Sequence, residues 1–271
     1  MTTRSLGRHL ETTRTASDIP WASIRERWNG FYALNLYHPV AALARAWRRQ
    51  SRVLRGKQCP HEQATRLPRV AWTAVLPNTS IALTETRRRS GNVRLAELGM
   101  LAQAAAAVSP GREIIEIGTF DGRTTVNLAL NAPPPAPIFT LDLPPQHPRR
   151  LALAAGEEQY VEKSAPGARF SSTPSAARRI TQLFGDSATF DWSAHERKAG
   201  LVFVDGSHAY DYVRADTTTA LRLVAPGGAV LWHDYGAWDG VTRALEEIED
   251  AQGLGLRHIR GTSLVVWRAP K

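Results

Sequence analysis

At 271 residues and 43% hydrophobic content, the chain can bury the core of one large α/β domain and carry an appendage. Its single cysteine, Cys59, excludes an internal disulfide and a multi-cysteine metal site, and no apolar run is long enough to span a membrane. The net charge of +9 is lopsided: residues 1–94 hold 17 Lys and Arg against 5 Asp and Glu, whereas residues 95–271 hold 17 against 20.

A basic first third suits an anionic partner such as nucleic acid, a membrane surface or a phosphorylated substrate. A bland explanation competes with it, because 30 of the 34 basic residues are arginine and codon usage alone can produce that. Arg4 and Arg8 are not followed by an apolar signal segment, so a cytoplasmic protein is expected.

Residues 1–18 are polar, lack periodicity and read as loose. From Ile19 to about Lys57 the pattern is helical, with Trp28, Phe31, Tyr32, Leu34 and Leu36 forming an aromatic patch. Pro39 opens a further helix with Val40, Leu43, Ala44 and Trp47 on it, decorated by Arg45, Arg48, Arg49, Arg52 and Arg55. An interfacial helix on a membrane has this composition, but such helices more often cover a neighbouring domain or a dimer partner. Residues 20–90 are therefore expected to pack on the sheet or on a partner subunit, which leaves a homo-oligomer open. Gln58 to Ser80, with Pro60, Pro68 and Pro77, reads as an irregular connector. The pair Cys59 and His61 within it is too sparse for a metal site.

Leu95, Leu98, Ala102 and Ala105 predict a helix after Asn92, stopped by Pro110-Gly111. The next stretch organises the chain: Ile114-Ile115-Glu116-Ile117-Gly118-Thr119-Phe120-Asp121-Gly122-Arg123-Thr124-Thr125 reads as a buried strand, a glycine turn and a helix start. Such a turn presents backbone N–H groups at a helix N-terminus, where a polar or anionic ligand can sit. Glu116 lies just before the turn, and Asp142 ends the next apolar run, Ile138 to Asp142. An acid at the turn suits a cationic amino group, and one after the second strand suits ribose hydroxyls; S-adenosylmethionine carries both.

After a long segment over 143–179, holding Arg149-Arg150 and Arg178-Arg179 and expected to contain helices and often a lid, the alternation resumes. Ile180 to Ser187 is a third strand and Leu201 to Asp205 a fourth, then Val213 to Leu223 a helix. Ala229 to Trp232 is a fifth strand ending at His233-Asp234, followed by a helix over Gly240 to Ile248. Leu256 to Ile259 and Leu264 to Trp267 form an antiparallel hairpin. Alternating strands and helices imply a doubly wound, mostly parallel sheet, seven-stranded with the hairpin. Polar residues recur at all five parallel strand ends, where ligands bind in open α/β sheets.

The block from about Asn92 to Trp267 resembles the class I S-adenosylmethionine-dependent methyltransferases. Val204-Asp205-Gly206-Ser207-His208-Ala209-Tyr210, with Pro226-Gly227-Gly228 and His233-Asp234-Tyr235, is similar to the methyltransferase-24 group, related to macrocin-type and catechol-type O-methyltransferases. The resemblance implies a Rossmann-like methyltransferase domain over 91–271 and a mainly helical, basic extension over 1–90. It places Gly118, Phe120 and Thr124, with Thr119 and Gly122 of the same turn, at the methionine end of the cofactor. Glu116 would support the turn or the amino group, Asp142 would hold the ribose, and Asp186 and Ser187 would border the adenine. Asp205, His233 and Asp234 would hold a divalent metal, Mg or Mn. The imidazole of His233 points away from magnesium. His208 stands where the catechol-type enzymes have a lysine base, and with Asp205 it forms the expected catalytic pair. The expected reaction is O-methylation of a small-molecule or sugar hydroxyl. A nucleic-acid methyltransferase is disfavoured by the lack of an Asn-Pro-Pro-Tyr-like motif after strand four, and a non-catalytic protein by the acids at every strand end. A nicotinamide dehydrogenase is disfavoured because G-x-G-x-x-G is absent.

Overall fold

The computed structural model describes Ile19 and residues 21–54, 65–145 and 165–271. The expectations for residues 1–18, Arg55 to Lys57, Cys59 with His61, and Arg149-Arg150 lie outside the described residues.

The strands are β1 (Arg69–Val70), β2 (Glu113–Ile117), β3 (Ile138–Asp142), β4 (Ile180–Phe184), β5 (Ala199–Val204), β6 (Val224–Trp232), β7 (Arg257–Ile259) and β8 (Val265–Arg268). The helices are α1 (Ile24–Phe31), α2 (His38–Leu54), α3 (Leu95–Ala106), α4 (Arg123–Asn131), α5 (Pro174–Ala177), α6 (Tyr210–Leu223) and α7 (Asp239–Gln252). One sheet runs in the order β1-β7-β8-β6-β5-β2-β3-β4. The five strands from β4 to β6 are parallel, and β8 is antiparallel to both β6 and β7, as the hairpin pattern implied. The sheet has eight strands rather than seven. The addition, β1, is a two-residue edge piece on β7, too short to leave a period in the sequence.

Central strands of a parallel sheet are covered on both faces, so they read as unbroken apolar runs. Here alternate residues feed two cores. Ile114, Leu201, Phe203 and Leu231 meet Leu98, Met100, Leu101 and Leu128 of α3 and α4. Ile115, Val202, Val204 and Val230 meet Val213 and Leu223 of α6 and Val241 and Leu245 of α7.

The N-terminal region is stitched to this frame by buried amides. Asn131 pairs with both backbone groups of Ala82 at 2.9 and 2.8 Å, and Asn127 does the same for Thr84 at 2.9 and 3.1 Å. Gln103 holds both backbone groups of Thr79 at 3.0 and 2.7 Å. Each side-chain amide thus replaces a strand neighbour, which lets an irregular segment lie buried at no hydrogen-bond cost. Helix α1 starts on a capping box made by Ser23 and Glu26 and continues through a π-helical turn, Tyr32–Tyr37, into α2. It docks with small residues: a Cβ on Gly30 would stand 2.3 Å from the Ile81 carbonyl oxygen, and Ala33 and Leu34 are buried. Within this chain the aromatic side chains face away from the sheet, with Trp28, Phe31 and Tyr32 all exposed, while Leu34 of the same patch is buried.

Candidate active site

A cavity of about 300 Å³ opens at the carboxyl ends of the parallel strands. It is lined by Gly118 and Phe120 after β2, Asp142 after β3, Asp186 and Ser187 after β4, Asp205 and His208 after β5, and His233 and Asp234 after β6. Glu116, Thr119, Gly122 and Thr124 are not part of that lining.

The glycine turn is built from below and from the side. Gly118 has φ +99°, and a Cβ there would lie 2.1 Å from the carbonyl oxygen of Asp205, so the turn touches the end of β5 as closely as backbone can. The Asp142 carboxylate accepts from the backbone N–H groups of Thr119 at 3.1 Å and Phe120 at 2.6 Å, and from Leu143 at 2.7 Å. Phe120 itself sits at φ 50°, a left-handed conformation that costs a bulky residue and is held here by Asp142. Glu116 lies under the turn, accepting from the hydroxyls of Thr125 and Thr140. Burial pushes its carboxyl up to about 8, against the lowering effect of the two threonines.

The opposite wall is a knot of charge. His233 Nδ1 lies 3.0 Å from Asp205 Oδ1 and 3.3 Å from Asp234 Oδ2, and its Nε2 lies 3.4 Å from Glu97 Oε2. Burial alone would lower the His233 pKa, but Asp234 and Asp205 overcome it and hold the ring well above its usual value, as an imidazolium. Burial would likewise raise Glu97, yet His233 and Arg94 hold it well below the usual carboxylate range. Glu97 also accepts from the N–H of Ser263 at 2.8 Å and its hydroxyl at 3.0 Å. Sequence reasoning missed Glu97. Its one local signal is an acid amid the apolar residues Leu95, Leu98 and Met100 of a buried helix.

His208 is fixed from two sides. Its Nε2 lies 2.8 Å from Asp234 Oδ2, and its ring stacks on Trp238 with centroids 4.3 Å apart and planes 4° apart. Asp234 has φ 62°, so the strand end turns sharply to aim its carboxylate at both histidines. Burial raises the Asp234 pKa, but His233 and His208 reverse that and keep it well below the ordinary value. Asp205, His208 and Asp234 each place one ligand atom within 4.8 Å of the others, a spacing that can hold a metal ion. His233, the expected third ligand, spends its ring nitrogens on carboxylates.

Two further groups come from outside the strand ends. Arg88, Ser90, Gly91 and Asn92 of the segment preceding α3 complete the cavity wall. Asp121 ties that segment down, taking the Asn92 amide at 2.9 Å and Arg169 Nε at 2.7 Å. Buried Arg123 donates to the carbonyls of Glu85 at 2.6 Å and Val93 at 2.8 Å. Asp216 of α6 is buried beside Gly206 and Ser187, and burial pushes its carboxyl up to about 7.

The sheet order, the glycine turn and the acids at the strand ends are those of the class I S-adenosylmethionine-dependent methyltransferase fold. Residues 115–235 match the model of the methyltransferase-24 family, a methyltransferase domain. The O-methyltransferase NovP superposes with a TM-score of 0.52 at 15% identity, covering 66% of this chain and 81% of its own. A protein from Corynebacterium glutamicum superposes equally, at 0.52 and 15%, over 66% of this chain and 83% of its own. At that identity the likeness is one of fold. No curated protein matches the chain.

Proposed function

We propose that the chain methylates a hydroxyl of a small molecule or sugar, with His208 as the base that takes the hydroxyl proton. The observation that carries this is the Asp234–His208–Trp238 arrangement on the cavity wall. S-adenosylmethionine, when bound, supplies an electrophilic methyl on a cationic sulfonium. The cavity suits it, since Asp142 lines it at the end of β3, and Asp186, fixed by the Tyr212 hydroxyl at 2.9 Å, stands with Ser187 at the next strand end. Gly118 and Phe120 then border the methionine end, while Glu116 acts beneath the turn through Thr125 and Thr140.

Asp234 fixes the His208 ring and stabilises the imidazolium formed when the hydroxyl proton arrives. Glu97, Asp205 and Asp234 face the cations Arg94 and His233, so three negative charges meet two positive ones. The remaining negative charge favours a cationic sulfonium nearby and disfavours an anionic acceptor atom placed against it. A second reading rests on the spacing of Asp205, His208 and Asp234: a divalent ion held by them would lower the pKa of a coordinated hydroxyl. That mixed nitrogen and oxygen set suits Mn²⁺ better than Mg²⁺.

The test is methyl transfer from labelled S-adenosylmethionine to sugar and phenolic hydroxyls, with calorimetric titration of S-adenosylhomocysteine alongside. His208→Ala should slow transfer by about 10²–10⁴-fold with cofactor affinity intact. Asp142→Ala should weaken cofactor binding by about 1–3 kcal/mol, the loss of charge-assisted hydrogen bonds. Failure of the wild type to bind S-adenosylhomocysteine overturns the reading, and an undiminished His208→Ala variant removes the base.

A further inference from the structure

Helix α1, the π-helical turn and α2 form a helical rod from Ile24 to Leu54, roughly 46 Å long at 1.5 Å per residue. Eight of the ten exposed large apolar side chains among the described residues lie on this rod. Val40, Leu43 and Trp47, at i, i+3 and i+7, are 67%, 72% and 70% exposed, and Ile24, Trp28 and Phe31 continue the apolar character along α1. The side toward the domain is settled by other residues. Gly30, Ala33 and Leu34 pack inward, and Arg45 donates to the Gly261 carbonyl oxygen at 2.7 Å. The apolar stripe is therefore surplus to the fold.

Charge says what covers it. The α2 sequence holds Arg45, Arg48, Arg49 and Arg52 and no acid, within a first third of the chain that is strongly basic. Two copies of α2 laid together would oppose arginine to arginine with no carboxylate on either helix. An anionic lipid surface satisfies both features at once, taking the apolar side chains at the headgroup boundary and the guanidinium groups at phosphate. The tryptophans fit the same boundary, where an amphipathic ring is favoured. Among the described residues no helix is long and apolar enough to cross a membrane, so the rod would lie on the surface. We propose that α1 and α2 dock the enzyme on an anionic membrane surface, with Trp28, Leu43 and Trp47 inserted and Arg48 at the headgroups.

The experiment is co-sedimentation of the full chain with vesicles of phosphatidylcholine alone or with about 30% phosphatidylglycerol. Wild type should bind the anionic vesicles at least about tenfold more tightly than the neutral ones, and high salt should release it. The double variant Leu43→Ser and Trp47→Ser should lose at least about tenfold in binding, and Arg48→Glu should weaken it, both with unchanged thermal stability because these side chains stand in solvent. No wild-type binding, or equal binding by the variants, overturns the proposal. A dimer in sedimentation velocity that the double variant splits, with no vesicle binding, assigns the stripe to a second copy instead. Cofactor titration on the same preparations keeps this outcome separate from the methyltransferase reading.

Discussion

Glu116→Gln tests whether the acid beneath the glycine turn is neutral in the folded protein. Its carboxyl is raised from an ordinary 4.5 to about 8, chiefly by burial, so between those pH values the folded state binds a proton that the unfolded state releases. Stability from this site is thus complete below pH 4.5, falls as pH rises, and is fully lost above about 8. One pH unit is worth about 1.36 kcal/mol. Holding the proton at pH 7 therefore costs the wild type roughly 3 kcal/mol, rising toward about 5 kcal/mol beyond pH 8. Glutamine has the shape of the protonated acid, no charge to desolvate, and two hydroxyls, Thr125 and Thr140, to bond with. Guanidinium denaturation from pH 5 to 8 should show the variant gaining on the wild type, from under about 1 kcal/mol at pH 5 to about 3 kcal/mol at pH 7. Affinity for S-adenosylhomocysteine should change less than about threefold, because Glu116 supports the turn from below. A variant less stable than wild type at pH 7, or a pH-independent difference, would show that Glu116 is ionised in the fold and refute the argument.

Gly118→Ala should abolish cofactor binding or unfold the domain, since the methyl would meet the Asp205 carbonyl at 2.1 Å in a backbone conformation that L residues avoid; wild-type melting and binding would disprove the tight contact. Mn²⁺ should raise the melting temperature more than Mg²⁺ at equal concentration, and Asp205→Ala should erase that difference; identical responses in wild type and variant would remove the metal.

Much of this site was legible because each parallel strand announces its own end. Gly118, Asp142, Asp186, Asp205 and Asp234 each close an apolar run, and a parallel sheet brings such ends to one edge whatever the connections between them. Depth below that edge is not written in the pattern. Glu116 and Asp142 read alike in sequence, yet one lies beneath the turn and the other faces the cavity, because Glu116 pairs with Thr140 inside the sheet and Asp142 lies two residues further on, at the strand's end. Glu97 and His233 meet across 136 positions, and Arg88 to Asn92 reach the cavity through a segment with no period at all. The side on which the aromatic helix docks was illegible for a different reason. Trp28 and Phe31 dominate the pattern by size, whereas the small residues Gly30 and Ala33 decide which side can approach Ile81 and α3.

The bonds from Ser263 to Glu97 span 166 positions of chain, joining the helix before the glycine strand to the hairpin beyond β6. A ribosome adds about 5–20 residues each second, so Glu97 emerges roughly 8–30 s before its partner. Through that interval the strands of the cofactor side, β2 to β4, can pair and cover themselves, while an acid meant for burial still lacks His233 and Ser263. The wall of His233, Asp234 and Glu97 is in this sense the late half of the fold: a nascent chain passes through a stage that has a floor for the cavity and an incomplete wall opposite it.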